Sequence, residues 1–122
     1  MRVVPVYFTS NTEASHRFFK ALGLETGWVA DSGTWVSMIG SGGGLGLHDA
    51  AAGEPPRVPG TTDLSFESDE PLEQVADRLI KAGFEASIVD ESFGRSLRTL
   101  DPDGQQLQIN EALTDSYGYT KP

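Results

Sequence analysis

The chain has 122 residues, of which 38% are hydrophobic and 22% are charged, and its formal net charge is −9. This length suits one domain or two half-size units that share a core, and the composition is that of a globular rather than a disordered protein. The sequence contains no cysteine, which excludes disulfides, thiolate catalysis and thiolate metal ligands. The negative charge repels phosphate backbones and disfavours nucleic acid as a partner, although an acidic surface also simply keeps a protein soluble.

No apolar run approaches the roughly 20 residues of a membrane span. The first residues also lack the basic and then apolar pattern of a secretory signal. We therefore expect a cytoplasmic protein that binds neither membranes nor nucleic acid.

The first half of the chain predicts a strand, a helix and three further strands. Residues 3–9 alternate, with Pro5 and Tyr7 on one face and Phe8 on the other. The helix that follows has an apolar stripe typical of a core-facing surface, made of Ala14, Phe18, Ala21 and Leu22. The three short strands are expected near residues 25–30, 34–39 and 45–48.

The second half of the chain repeats this order after a linker at residues 51–60, which are rich in alanine, glycine and proline. Asp101-Pro102-Asp103-Gly104 predicts a tight turn between two strands. In the last strand Leu107 and Ile109 alternate with amides, so one face is apolar and the other is amide-rich. The predicted elements are a strand at 63–67, a helix at 70–82 and strands at 84–89, 95–100 and 106–111.

The restart is an internal repeat. A shift of 58 residues places Val6 on Leu64, and a shift of 62 residues places Leu45 on Leu107. We therefore expect an α+β fold with two βαβββ modules in tandem, in which each helix covers one face of its sheet. The other faces are too polar for a dry core and should line a cleft. The predicted organisation is a single domain, 1–122, with module one at 1–50, the linker at 51–60, module two at 61–112 and a tail at 113–122.

The βαβββ repeat, the segment Phe18-Phe19-Lys20-Ala21-Leu22-Gly23-Leu24 and the Asp101–Gly104 turn resemble the vicinal-oxygen-chelate superfamily. This superfamily includes glyoxalase I, extradiol dioxygenases and bleomycin-resistance proteins, and the similarity covers almost the whole chain. The resemblance implies paired modules that curl around a cleft. It also implies a homodimer in which modules of both chains build the sites.

Enzymes of the superfamily typically bind a divalent metal ion at positions that correspond here to Pro5, Gly46, Asp63 and Gln108. Pro5 and Gly46 have no side-chain donor, whereas a catalytic metal site needs about three protein ligands. We therefore expect no metal cofactor. The alternative is a rearranged divalent site that uses His48 and Asp63, with Glu67 as a third ligand.

Aromatic side chains beside carboxylates and amides suit an aromatic or cationic organic ligand. The chain is in this respect similar to the metal-free bleomycin-resistance branch, small acidic dimers that sequester an antibiotic without altering it. A binding protein of this drug-resistance type is the main hypothesis. The alternatives are a metal-dependent lyase, isomerase or dioxygenase of the glyoxalase type, and a metal-free enzyme with Asp63 or Glu67 as general base. The candidate ligand-binding residues are Tyr7, Trp28, Trp35, His48, Asp63, Glu67, Gln108 and Asn110.

Arg95 and Arg98 are three residues apart in a predicted strand and should lie on opposite faces of its sheet. One of them could therefore enter the cleft and pair with Glu67 or Glu111. In the tail, Tyr117 or Tyr119 could fold over the cleft.

Overall fold

The computed structural model describes residues 1–112 and 118–122. Within them the chain forms two helices, α1 (Thr12–Leu22) and α2 (Leu72–Lys81), and eleven strands. Neither of these helices is long and apolar enough to span a membrane. The strands are β1 (Arg2–Val3), β2 (Val6–Thr9), β3 (Glu25–Ala30), β4 (Trp35–Gly40), β5 (Gly43–Asp49), β6 (Thr62–Asp63), β7 (Ser65–Ser68), β8 (Ser87–Glu91), β9 (Gly94–Leu100), β10 (Gln106–Glu111) and β11 (Tyr119–Thr120).

The chain divides into two compact units. Among the described residues, the first unit comprises Val4–Asp63 and residues 118–122, and the second comprises Met1–Val3 and residues 64–112. The organisation as a single domain with modules at 1–50 and 61–112 stays a prediction.

The first unit is a six-stranded mixed sheet with α1 on one face. Its strand order is β11-β3-β4-β5-β2-β6, in which only the described pair β2 and β5 is parallel. Val36, Met38 and Leu47 are almost fully buried on the helix side, and Phe19 of α1 packs against them. Because side chains alternate along a strand, the neighbours of these residues lie on the opposite face, which we call the open face.

The second unit is a five-stranded mixed sheet with α2 on one face. Its strand order is β1-β7-β10-β9-β8, with β7 and β10 parallel. Leu72, Val75 and Ala76 of α2 form the buried core together with Leu97 and Ile109 of the sheet. Leu97 and Ile109 therefore mark the helix side, and their strand neighbours lie on the open face of this sheet. The predicted α+β class, with one helix for each of two sheets, is confirmed. The predicted cleft and homodimer stay predictions.

The predicted strand at 3–9 is in fact two strands with Val4 and Pro5 between them. Proline has no N–H to contribute to a strand ladder, so the pairing stops there. β1 pairs with β7 in the second unit, and β6 pairs with β2 in the first. Each sheet thus takes an edge strand from the segment that precedes the first long strand of the other sheet.

The turn predicted at Asp101–Gly104 is confirmed between β9 and β10. Asp101 Oδ1 accepts hydrogen bonds from the backbone N–H groups of Asp103 and Gln105, at 2.9 and 2.8 Å. Gly104 has φ of 83°, a conformation that glycine adopts without steric cost. This turn holds β9 and β10 in the register that pairs Gln108 with Arg98.

Arg95 ties α2 to the sheet of the second unit. Its guanidinium donates hydrogen bonds to Glu73 of α2 and to Glu111 of β10. Hydrogen bonding by Arg95 holds the pKa of Glu73 below its usual value. Arg98 instead pairs with Glu91, which lies on the open face with it, so the predicted opposite placement of the two arginines is confirmed.

The apolar stripe predicted for the first helix does not face the core. Phe18 is 62% exposed and Leu22 is 66% exposed, whereas the next residue, Phe19, packs against the core and meets the ring of Tyr7 at 5.7 Å. His16 Nε2 and Thr26 Oγ1 of β3 are 2.7 Å apart, which fixes the same side of α1 against the sheet. Helical periodicity identifies an apolar stripe, but it does not identify which stripe a sheet covers.

The two neighbouring phenylalanines give a matched test of this orientation. Phe19→Ala should lower the free energy of unfolding by about 2–4 kcal/mol, because it removes packing from the core. Phe18→Ala should change it by less than about 0.5 kcal/mol, as expected for an exposed side chain. Urea unfolding of both variants at high dilution measures the difference, and equal losses would contradict the orientation of α1.

Candidate functional site

The open face of the first sheet carries two rows of cross-strand neighbours. In one row, Asp63, Val6 and Gly46 are successive partners, followed by Ser37. In the adjacent row, β2, β5 and β4 place three ring-bearing side chains next to one another. We call this second row the aromatic row, and it consists of Phe8, His48 and Trp35.

The rings of the aromatic row are in contact along its length. The ring centroids of Trp35 and His48 are 6.1 Å apart, and those of His48 and Phe8 are 5.4 Å apart. His48 Nδ1 is 2.8 Å from the carbonyl oxygen of Asp49. At the Phe8 end, the guanidinium carbon of Arg57 lies 4.8 Å from the ring centroid, and Arg57 forms an ion pair with Asp63.

Trp35 lies directly over Gly46. A Cβ atom placed on Gly46 would be 2.2 Å from Cη2 of the indole, well inside van der Waals contact. The glycine is therefore required by the position of the indole. The space that a side chain at this position would occupy is filled by an aromatic ring.

Trp28 also lies on the open face, at an irregularity of β3. The pairing of β3 with β4 shifts between Thr26 and Val29, so Gly27 and Trp28 together oppose Ser37, and the backbone N–H of Trp28 donates to Ser37 Oγ at 2.6 Å. Thr26 and Val29 both face α1, which leaves the two residues between them on the open face. Nζ of Lys121 lies 5.9 Å from the Trp28 ring.

The open face of the second sheet is polar. Cross-strand pairing aligns Glu67 with Asn110 and Ser96, and it aligns Gln108 with Arg98. Gln108 Nε2 donates to Asn110 Oδ1 at 2.8 Å. Two more hydrogen bonds join this face at Glu91 Oε1, which accepts from Arg98 Nη2 at 2.7 Å and from Ser96 Oγ at 3.2 Å.

Seven of the eight predicted site residues lie on an open face, four in the first unit and three in the second. Trp28, Trp35, His48 and Asp63 share the open face of the first unit, and Glu67, Gln108 and Asn110 share that of the second. Tyr7 is the exception, because it pairs with Leu47 and packs against Phe19 on the helix side. Its predicted placement on the same side as the cleft residues is therefore wrong.

Two residues of the first site escaped the sequence analysis, Phe8 and Arg57. Phe8 was correctly predicted to lie on the face opposite Tyr7. The sequence, however, predicted Tyr7 on the cleft side, whereas Tyr7 lies on the helix side and Phe8 on the open face. Arg57 had one available signal, since it is the single basic residue in the linker at 51–60. Of the two tail tyrosines, Tyr119 pairs with Ala30 as part of β11, and Tyr117 lies outside the described residues.

The side chains present do not fit the superfamily's divalent metal. Pro5 and Gly46 provide no donor atom, Asp63 is engaged by Arg57, and the amide of Gln108 donates to Asn110. Within residues 1–112 and 118–122 no group of three or more histidine, aspartate or glutamate side chains is placed to hold a metal ion. The space above Gly46 contains the Trp35 indole instead.

Three carboxylates of the open faces, those of Asp63, Glu67 and Glu91, have arginine partners. Asp63 pairs with Arg57, and Glu91 pairs with Arg98 at 2.7 Å. Glu67 lies 3.5 Å from Nε of Arg2. The strongly negative net charge of the chain is therefore not concentrated at these carboxylates, and contact chemistry rather than long-range attraction has to select a ligand there.

The fit between Gly46 and Trp35 can be tested with a single methyl group. Gly46→Ala should lower the free energy of unfolding by about 1–3 kcal/mol, because the indole has to move, and should shift the tryptophan emission spectrum. Gly42→Ala is the matched control, since a Cβ there meets nothing within 4 Å. An unchanged spectrum and equal stability of the two variants would contradict the packing of Trp35 on Gly46.

Two solved structures share this architecture. One is a glyoxalase/bleomycin resistance protein/dioxygenase superfamily member from Vibrio splendidus 12B01, with 18% identity, a TM-score of 0.60 and coverage of 90% of this chain and 97% of that chain. The other is described as the NAD-dependent benzaldehyde dehydrogenase from Legionella pneumophila, with 22% identity, a TM-score of 0.61 and coverage of 92% and 99%. No family model matches the sequence, and no curated protein matches it. The resemblance noted from the sequence is confirmed at the level of architecture, and the chain has the fold of a glyoxalase/bleomycin resistance protein/dioxygenase superfamily member.

Proposed function

We propose that this protein is a metal-free member of that superfamily that binds an aromatic or cationic small molecule on the aromatic row. The observation that carries the proposal is the Trp35 indole over Gly46, at a position where the superfamily's enzymes typically have a metal ligand. Aromatic faces bind planar rings by stacking and bind cations through the ring quadrupole. Phe8, His48 and Trp35 align three such rings, of which His48 and Trp35 are half-buried and Phe8 is covered by Arg57.

The chemistry of the site favours binding over turnover. Asp63 and Glu67, the two candidate general bases, each have an arginine partner. His48 Nδ1 is within hydrogen-bond distance of the Asp49 carbonyl. We therefore propose that the ligand leaves unchanged, and that sequestration of a natural product such as an antibiotic in the cytoplasm is the role of the protein.

Titration of tryptophan fluorescence with a panel of aromatic antibiotics tests this proposal. We expect saturable binding of one ligand per aromatic row and recovery of the unaltered ligand by mass spectrometry. Trp35→Leu should weaken binding by about fivefold, because ring–ring contacts contribute roughly 1 kcal/mol beyond burial. Arg78→Gln, on the exposed side of α2, is the control that should leave binding unchanged.

The alternatives make different predictions in the same experiment. A metal-dependent lyase, isomerase or dioxygenase requires a tightly held divalent ion in protein purified without chelators, which elemental analysis detects. A metal-free enzyme would convert the ligand during incubation. Either result would replace the sequestration proposal.

We also propose that the chain forms a homodimer. The apolar side chains of Phe18 and Leu22, more than half exposed on α1, support a further contact that this chain alone does not make. Analytical ultracentrifugation should show a dimer, and a monomer at micromolar concentration would remove this part of the proposal.

A further inference from the structure

Arg57 makes the two contacts that a cationic ligand of the aromatic row would make. Its guanidinium lies over the Phe8 ring, 4.8 Å from the centroid, and it forms an ion pair with Asp63 Oδ2. A flat cation over an aromatic ring and a charge-assisted hydrogen bond to a carboxylate are the standard means of recognising an amidinium or a ring ammonium. The site therefore already contains a flat cation, supplied by the protein itself.

The side chain of Arg57 can leave this position without a change in the fold. Its backbone N–H donates to the carbonyl of Ala50 at 2.8 Å, and the end of the same loop is held by hydrogen bonds between Phe8 and residues 60 and 61. The side chain is 35% exposed, and that of Asp63 is 45% exposed. Rotation about side-chain bonds therefore takes the guanidinium off the Phe8 ring without moving the loop backbone.

Arg95 shows how a structural arginine differs in the same chain. Its Nε donates to Glu111, and its terminal nitrogens donate to Glu73, so it joins a helix to a strand and stacks on no described ring. Arg57 reaches from a loop onto the open face, has one carboxylate partner and lies on an aromatic ring. The contacts of Arg57 therefore mark a cation-binding subsite, whereas those of Arg95 connect a helix to a strand.

We infer that Arg57 occupies the cation subsite of the aromatic row and is displaced when a planar cationic ligand binds. The inference rests on the proposed function and names the ligand class, a flat aromatic cation. Such a ligand replaces the guanidinium at both Phe8 and Asp63. A neutral ring of the same outline gains nothing at Asp63, so it stacks on Trp35 and His48 and leaves the guanidinium of Arg57 on Phe8. The apparent affinity for a cation is then reduced by the fraction of protein in which Arg57 occupies the subsite.

The test compares proflavine, a planar tricyclic cation, with acridone, a neutral tricycle of similar outline. Both probes are titrated against wild-type protein and against Arg57→Gln, Asp63→Asn and Arg78→Gln. Arg57→Gln should bind proflavine about tenfold more tightly, the factor that 1.4 kcal/mol represents, because the competing cation is gone. Asp63→Asn should weaken proflavine binding. Neither variant should change acridone binding.

Arg78→Gln is the matched control, since Arg78 forms an ion pair with Glu70 in the second unit. This variant should behave as wild type with both probes. Equal or weaker proflavine binding by Arg57→Gln, with acridone still bound, would overturn the displacement of Arg57 and leave the proposed function standing. Failure of both probes to bind any of the proteins would overturn the inference and the proposed binding of aromatic ligands together.

A second measurement uses wild-type protein and does not depend on the folding of a variant. In protein labelled with ¹⁵N-arginine, proflavine should shift the Nε–H resonance of Arg57 and leave that of Arg78 in place. Acridone should shift neither resonance. If saturating proflavine leaves the Nε–H chemical shift of Arg57 unchanged, the guanidinium stays on Phe8 and the inference is overturned.

Discussion

Each sheet of this protein has two faces, and in the described part of the chain each unit has one helix to cover them. Because one helix covers one face of each sheet, that face is apolar and buried, and the other face has a different composition. On the helix sides, residues such as Leu47 and Leu97 are completely buried. On the open sides the first unit presents rings and the second presents amides and ion pairs. Ser96 on the polar side is fully buried and reaches Glu91 by a hydrogen bond, as a buried hydroxyl requires.

The residue at position 46 affects what lies on the open face of the first sheet. Gly46 has no side-chain donor atom and lies in one row with Val6 and Asp63. The absence of a side chain at Gly46 leaves room for Trp35 above it. The glycine thus contributes no polar side chain here, and an aromatic ring lies above it. A shared fold does not determine the chemistry of a site, so solved structures of similar fold do not by themselves assign a function to this one.

Sequence patterns predicted the elements better than they predicted what the elements face. The alternation of Leu107 and Ile109 with amides identified both sides of β10, because only one side was apolar. For β2 the same method failed, since Tyr7 and Phe8 are both large aromatic residues and only contact with α1 distinguishes them. The stripe of Phe18 and Leu22 misled for a related reason, as its apolar character says nothing about which neighbour covers it. The role of Arg57 could not be predicted from the sequence, because its contacts with Phe8 and Asp63 depend on how the loop packs against the strands.

β1 pairs in the sheet of the second unit, and β6 pairs in the sheet of the first. Neither half of the chain therefore holds all the strands of its own sheet. A fragment that ended before the linker would lack β6 and leave the backbone of β2 unpaired along one side. Unpaired strand edges join to other chains, so two copies of such a half could complete each other by donating these short segments. The repeat boundary read from the sequence and the boundary between compact units differ by these few residues.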